Sequence, residues 1–131
     1  MRCYTPSAMS EPDPRQIAAD TLHVVEQREP DGTLLASYQR RWDARGPAWV
    51  RHGGYTGFHP NGAPRTQGAY ANGREEGLWR DFHDNGSVAC VGEYRLGQEQ
   101  GLWRFFDRDG NEERMAVYRD GRQVDLSSTG E

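Results

Sequence analysis

The sequence predicts an all-β fold, an open antiparallel β-meander of repeated hairpins that form a single twisted sheet. Three observations support this prediction. Aromatic residues and glycines recur with one fixed period, turn signals divide each period into two short segments, and aliphatic residues are scarce. Leu, Ile, Val and Phe together make up only 19 of 131 residues. The apolar surface must therefore come mainly from aromatic rings, each of which can bury about 150–250 Å².

The period is clearest in three windows of equal length that begin at Gly53, Gly77 and Gly101 and continue without a gap to Val124. Nine of the ten aromatic residues between Gly53 and Val124 fall on shared columns, and only Phe105 does not. The aromatic columns are Tyr55/Trp79/Trp103, Phe58/Phe82/Phe106 and Tyr70/Tyr94/Tyr118. Such regular placement indicates a repeat architecture.

Each window also carries two turn signals, of which Asn61-Gly62 and Asn72-Gly73 are the first pair. Asn-Gly and Asp-Gly favour type I′ turns, which need positive φ at both central residues. Each window should thus contribute two antiparallel strands, giving roughly eight strands in all. We expect the aromatic columns to stack along one face, with the column glycines allowing rings and backbone to approach closely.

Four segments follow from this pattern. Residues 1–20 are expected to be a flexible N-terminal segment, because they contain three prolines and few apolar side chains. Residues 21–52 form a degenerate first repeat, in which 39–52 exceeds the repeat spacing and is expected to be a longer, irregular loop. Residues 53–124 contain the three repeats, and 125–131 form a C-terminal tail.

Composition bears on the class of partner and on location. The formal net charge is −4, and no basic block exists to favour nucleic acid or an anionic membrane. No apolar run is long enough to span a bilayer, and the N-terminus lacks a secretory signal, so a cytoplasmic location is expected. Cys3 and Cys90 are too few for a disulfide framework or a zinc site, and Cys90 is expected to be a reduced interior residue.

A catalytic site is not predicted. His59, His83 and Asp107 share a column, but equivalent columns lie two strands apart, roughly 9–10 Å at about 4.8 Å per strand. Zinc ligands must converge to about 2 Å from one ion, so these residues are interpreted as polar side chains at turns. Neither a nucleophile motif nor a phosphate-binding loop occurs, and no metal or cofactor is implied.

The segments Gly77–Gly86 and Gly101–Gly110, with Gly92-Glu93-Tyr94 between them, resemble the bacterial variant of the MORN (membrane occupation and recognition nexus) repeat. The resemblance is clear over 53–124 and weaker over 24–52. Small bacterial proteins of this type resemble the YwqK-type antitoxin family, the immunity partners of toxins. The resemblance implies a protein that binds and neutralises a partner toxin.

The aromatic columns are expected first of all to build the core ladder, and the part of their ring surface that stays exposed is the candidate contact for such a partner. A single sheet has two faces, and a chain this small cannot fully cover both, so some ring surface should be exposed. Trp42 and Trp49 in the irregular segment are possible anchors, because Trp is favoured at binding hot spots. The candidate partner-binding residues are Trp42, Trp49, Tyr55, Phe58, Trp79, Phe82, Trp103 and Phe106.

Two other functions remain open from the sequence. The first is a MORN-type scaffold that contacts lipid or organises an assembly. The second is an enzyme with a site in the 39–52 segment, which would require a deep pocket with convergent titratable groups there. The oligomeric state is not predicted.

Overall fold

A computed structural model describes residues 21–125 as nine strands and no helix. The predicted flexible segment 1–20 and nearly all of the predicted tail, residues 126–131, lie outside the described residues. The strands are β1 (His23–Arg28), β2 (Leu34–Asp43), β3 (Ala48–Phe58), β4 (Pro64–Ala71), β5 (Arg74–Phe82), β6 (Val88–Arg95), β7 (Gln98–Phe106), β8 (Glu112–Arg119) and β9 (Arg122–Val124).

All nine strands belong to one open sheet, in which each strand pairs antiparallel with the next along the chain. The predicted all-β meander of repeated hairpins is therefore confirmed, with one strand more than the roughly eight expected. No second layer packs on the sheet within residues 21–125, because every described strand belongs to it. The described fold consequently has two broad faces and two edges, β1 and β9.

Two different turns alternate along the meander. At one end of the sheet, the loops that contain Asn72-Gly73, Leu96-Gly97 and Asp120-Gly121 have positive φ at both residues, as a type I′ turn requires. At the other end, Asn61 has no positive φ while Gly62 has φ 91°. There the Gly62 amide donates to the His59 carbonyl at 2.9 Å, as in a type I turn followed by a left-handed glycine. The expectation of type I′ turns thus holds at only one end.

The prediction of a longer, irregular loop over residues 39–52 is wrong, because most of this segment lies in two strands that extend a hairpin. β2 and β3 remain paired as far as Asp43 and Ala48, so only residues 44–47 connect them. The stretch of chain from Tyr38 to Tyr55 is longer than the corresponding stretch from Gly68 to Trp79. The additional residues lengthen both strands, and Trp42 pairs with Trp49 near the tip.

The repeated tryptophans lie over glycines of the preceding strand. The three residues from Gly77 to Trp79 stand opposite the single residue Gly68, which makes a bulge in β5, and Trp103 is placed opposite Gly92 in the same way. A Cβ atom added to Gly68 or Gly92 would lie less than 3.0 Å from the facing indole.

The expectation that the column glycines permit this close approach is therefore wrong. Nothing lies within 4 Å of a Cβ added to Gly77 or Gly101. These two glycines instead adopt φ of 81° and 79°, which the bulge requires and which side chains disfavour.

We predict that Gly68→Ala and Gly92→Ala each destabilise the fold by about 1–3 kcal/mol, because the new methyl group must displace an indole. Gly54→Ala is the matched control, since its Cβ would meet no described atom closer than 3.5 Å and Gly54 has no positive φ. Urea unfolding followed by tryptophan fluorescence measures both effects. Equal stability of all three variants would contradict the tight indole–glycine packing.

We also predict that Leu96→Asn increases the free energy of unfolding by about 0.5–1 kcal/mol. Leu96 has φ 52° and is 62% exposed, and the left-handed region costs most L-residues about 1–2 kcal/mol but is tolerated by Asn. Thermal unfolding of Leu96→Asn and Leu96→Ala separates the causes, because Ala retains the unfavourable φ. A gain of the same size with Ala would assign the effect to loss of exposed apolar surface.

Candidate functional site

A continuous ladder of aromatic rings runs along one face of the sheet. Ring centroids are 6.0 Å apart between Tyr38 and Tyr55, and 5.9 Å between Tyr55 and Trp79. The separations that follow are 5.9 Å from Trp79 to Tyr94, 5.1 Å from Tyr94 to Trp103, and 6.0 Å from Trp103 to Tyr118. Tyr70 also belongs to the ladder, with its ring 5.3 Å from that of Trp79. We call this side of the sheet the aromatic face.

The rings of the ladder divide into buried and partly exposed members. Trp79 and Trp103 are 6% and 7% exposed, and their indole N–H groups donate to the carbonyls of Ala69 and Glu93 at 3.0 and 3.2 Å. The ladder tyrosines are only half-buried. The tryptophans therefore serve as core, while the tyrosines supply the ring surface that a partner can touch.

A groove of about 250 Å³ lies on the aromatic face. We call it the aromatic groove. Besides its rings it is bordered by Glu75, Asp81, Arg65 and Thr66, and the Thr66 hydroxyl donates to Asp81 Oδ1 at 3.0 Å. The residues that line the groove are Tyr55, Gly57, Arg65, Thr66, Tyr70, Glu75, Trp79, Asp81, Cys90, Tyr94 and Trp103.

The groove carries a negative electrostatic environment around Tyr94. Burial, followed by the nearby carboxylates of Glu99, Glu75 and Asp81, raises the pKa of Tyr94 to about 12. Burial also raises the pKa of Tyr70, and there the guanidinium of Arg51 opposes the further increase caused by Glu75. Positive and negative side chains thus act on different parts of one ladder.

The eight candidate partner-binding residues occupy three separate places. Tyr55, Trp79 and Trp103 lie in the ladder. Phe58, Phe82 and Phe106 are half-buried last residues of β3, β5 and β7, and no ring contact joins them to the ladder within the described chain. Trp42 and Trp49 are half-buried at the extended hairpin, with ring centroids 5.4 Å apart. The structure therefore does not bring the eight residues into one site.

The hairpin tip carries its own cluster around Trp49. The Arg40 guanidinium lies 4.0 Å from the centroid of that ring, and the His23 ring lies 5.4 Å from it. Arg40 Nε also donates to His23 Nδ1 at 3.1 Å. These contacts hold Trp49 in place beside the first strand.

The histidine column connects neighbouring repeats. His59 Nε2 lies 2.8 Å from the Phe82 carbonyl oxygen, and His83 Nε2 lies 2.9 Å from that of Phe106. Asp107, the third member, instead accepts the amides of Asp109 and Asn111 within its own turn, each at 2.9 Å. The three side chains bind different backbone groups and do not converge, so the interpretation as polar turn residues stands. No group of three His, Cys, Asp or Glu side chains between residues 21 and 125 could hold a metal ion.

Several surface residues were not identified from the sequence. Tyr38, Tyr70 and Tyr94 contribute half-exposed ring surface, although the Tyr70/Tyr94/Tyr118 column was visible in the repeat. On the opposite face, Leu78, Leu102 and Met115 are 47%, 50% and 53% exposed. Leu78 and Leu102 precede the two ladder tryptophans, and strand alternation places them on the other side.

No family model matches the chain, and no match is found among curated proteins. In the part of the chain that the structure describes, no helix is long and apolar enough to cross a membrane.

We predict that the Cys90 thiol reacts with iodoacetamide at least about a hundredfold more slowly in the native protein than in urea at pH 8. Burial, with a smaller contribution from Asp81, raises its pKa from 9.0 to about 11, which keeps the thiol protonated and lowers the thiolate fraction. A Cys3→Ser background leaves Cys90 as the remaining cysteine, and mass spectrometry follows the alkylation. Similar rates in both conditions would contradict the burial of Cys90.

Proposed function

We propose that this chain is a protein-binding repeat module that neutralises a partner toxin by occupying part of the toxin's surface. The observation that carries the proposal is the aromatic groove. Half-buried tyrosines stand there beside carboxylates on a sheet face that no second layer of residues 21–125 covers. Aromatic surface bordered by charge is typical of protein contact sites. The antitoxin role rests on the MORN-type resemblance of the repeats and on this surface together.

The chemistry of the site favours binding over catalysis. The titratable groups of the groove with raised pKa values, Tyr70, Cys90 and Tyr94, are all held in their neutral forms near pH 7. A groove of this kind can receive protruding side chains of a partner. Tyrosine suits such contacts because its ring provides apolar area with only two rotatable bonds to immobilise.

Lipid binding is the less favoured alternative. The formal net charge of −4 and the carboxylates of Glu75, Asp81 and Glu99 oppose attraction to an anionic bilayer. Co-sedimentation with vesicles of phosphatidylserine and phosphatidylcholine tests it. We expect no salt-sensitive binding; saturable binding would move the assignment to a membrane-associated scaffold.

We predict that co-expression of this chain rescues a host from the toxin encoded beside its gene, and that the two proteins co-purify. Tyr94→Ser should weaken the complex by about thirtyfold, the effect of losing a hot-spot residue of about 2 kcal/mol. Leu102→Ser on the opposite face is the control and should leave affinity within twofold. Isothermal titration calorimetry gives both affinities, and circular dichroism checks that each variant is folded.

Two results would contradict the proposal. One is failure of the wild-type chain both to rescue and to co-purify with the neighbouring protein. The other is a complex that Leu102→Ser weakens while Tyr94→Ser does not, which would place binding on the opposite face.

A further inference from the structure

The aromatic ladder already holds an arginine of its own chain at one end. The Arg51 guanidinium carbon lies 4.8, 5.4 and 5.5 Å from the ring centroids of Tyr38, Tyr55 and Tyr70. These distances lie within the range of about 6 Å for cation–π attraction. The Arg51 guanidinium also acts on Tyr70, where it opposes the increase in pKa that burial and Glu75 cause. The ladder is thus chemically suited to a guanidinium group.

The repeat reverses the charge at this position in the following two windows. Arg51, Glu75 and Glu99 share one column, because each stands two positions before the first glycine of a window. In the two later repeats Glu75 pairs with Tyr70 and Glu99 with Tyr94, whereas Arg51 pairs with Arg40 and reaches the ladder by its side chain. Two carboxylates therefore stand beside the ladder where the first repeat has a guanidinium.

Neither carboxylate has a cationic partner within residues 21–125. The four ion pairs described there involve other carboxylates: Glu26, Asp43, Glu112 and Asp84. Across the same residues, no arginine lies over Trp79, Tyr94, Trp103 or Tyr118, although six arginine–ring contacts occur elsewhere. The section of the ladder between Glu75 and Glu99 thus combines ring surface with unpaired negative charge.

The pKa shifts of Tyr70 and Tyr94 also distinguish the part of the ladder beside Arg51 from the part between Glu75 and Glu99. Tyr70 lies between Arg51 and Glu75 and is influenced by both, in opposite directions. For Tyr94, burial raises the pKa most, and the carboxylates of Glu99, Glu75 and Asp81 all raise it further. A positive charge brought close to Tyr94 would relieve this accumulation of negative charge.

We propose that the ladder section between Glu75 and Glu99 receives an arginine side chain of the partner protein, with its guanidinium over Tyr94 and paired with a flanking carboxylate. Arginine is favoured over lysine because its planar group can stack on a ring and bond a carboxylate at the same time. The inference rests on the proposed function and specifies the chemistry of the partner. The partner's arginine would make with Tyr94 the same kind of cation–π contact that Arg51 makes with the tyrosines at the other end of the ladder.

The probe for this site is the tripeptide acetyl-Gly-Arg-Gly-amide, with the lysine and citrulline peptides as comparators. Binding to the full chain is followed by NMR, using the backbone amide of Tyr94 and the indole N–H resonances of Trp79 and Trp103. We expect saturable shifts with the arginine peptide, binding at least fivefold weaker with lysine, and none with the neutral citrulline peptide.

Charge variants locate the probe. Glu75→Gln should weaken binding about tenfold, and Glu75→Arg should abolish it, because the introduced arginine would occupy the ladder as Arg51 does. Glu93→Arg is the matched control: it makes the same charge change one residue before Tyr94, is exposed, and belongs to the opposite face by strand alternation. The control Glu93→Arg should leave the affinity for the arginine peptide within twofold. If Glu75→Arg does not fold, the tenfold loss expected for Glu75→Gln still tests the proposal.

Each contrary result has a definite meaning. No shift with the arginine peptide, equal binding of the citrulline peptide, or equal loss with Glu93→Arg would overturn the inference. Binding that appears only after Arg2→Gln and Arg15→Gln would make the chain's own N-terminal segment the occupant, which also overturns it. The proposed function is tested separately: a partner complex unaffected by Glu75→Arg removes only this inference, whereas arginine-peptide binding without toxin rescue removes only the antitoxin assignment.

Discussion

The packing of an indole ring against a bare glycine is the constraint on which the rest of this structure depends. Trp79 lies across Gly68, and its N–H reaches the next carbonyl of the same strand, that of Ala69. This arrangement needs a glycine on the facing strand and a bulge directly opposite it. In the first hairpin the irregularity lies opposite Gln39 instead, and Tyr38 pairs directly with Tyr55 in place of the glycine and the tryptophan. The residue on the facing strand and the ring residue change together between the two hairpins, because a flat indole can lie over a glycine but not over a side chain.

Within residues 21–125 the sheet has no second layer, so the same rings form both its core and its surface. The buried apolar residues of the described chain are only Ala36, Trp79, Cys90, Trp103 and Ala116. The ladder tyrosines complete this core from the exposed side, so their inner edges stabilise the sheet while their outer edges remain available to a partner. Affinity and stability are therefore coupled at these positions, and their substitutions require a folding measurement beside every binding measurement.

The regular period made the meander and most of its strands predictable, because turn glycines and aromatic columns can be recognised directly in the sequence. The pairing register of the strands could not be recognised in this way. Gly68 and Gly92 recur with the same period as the column glycines, but only the bulge shows that they, and not Gly77 and Gly101, face the rings. The extended hairpin was missed because Arg40 to Asp43 lacks the alternation of a half-buried strand. The groove was missed for a related reason, since the cross-strand neighbours of Tyr94 depend on register.

Charge makes the three repeats unequal even though their rings are alike. A ladder with the same polar residue in every repeat would offer equivalent positions, and a partner could bind in several registers. The change from Arg51 to Glu75 and Glu99 removes this equivalence, because an arginine attracted by the carboxylates near Tyr94 is repelled by Arg51 at the other end. On the proposed function, the rings provide contact area that any partner with apolar side chains could use. The charge column then selects which partner binds and fixes where along the ladder it lies.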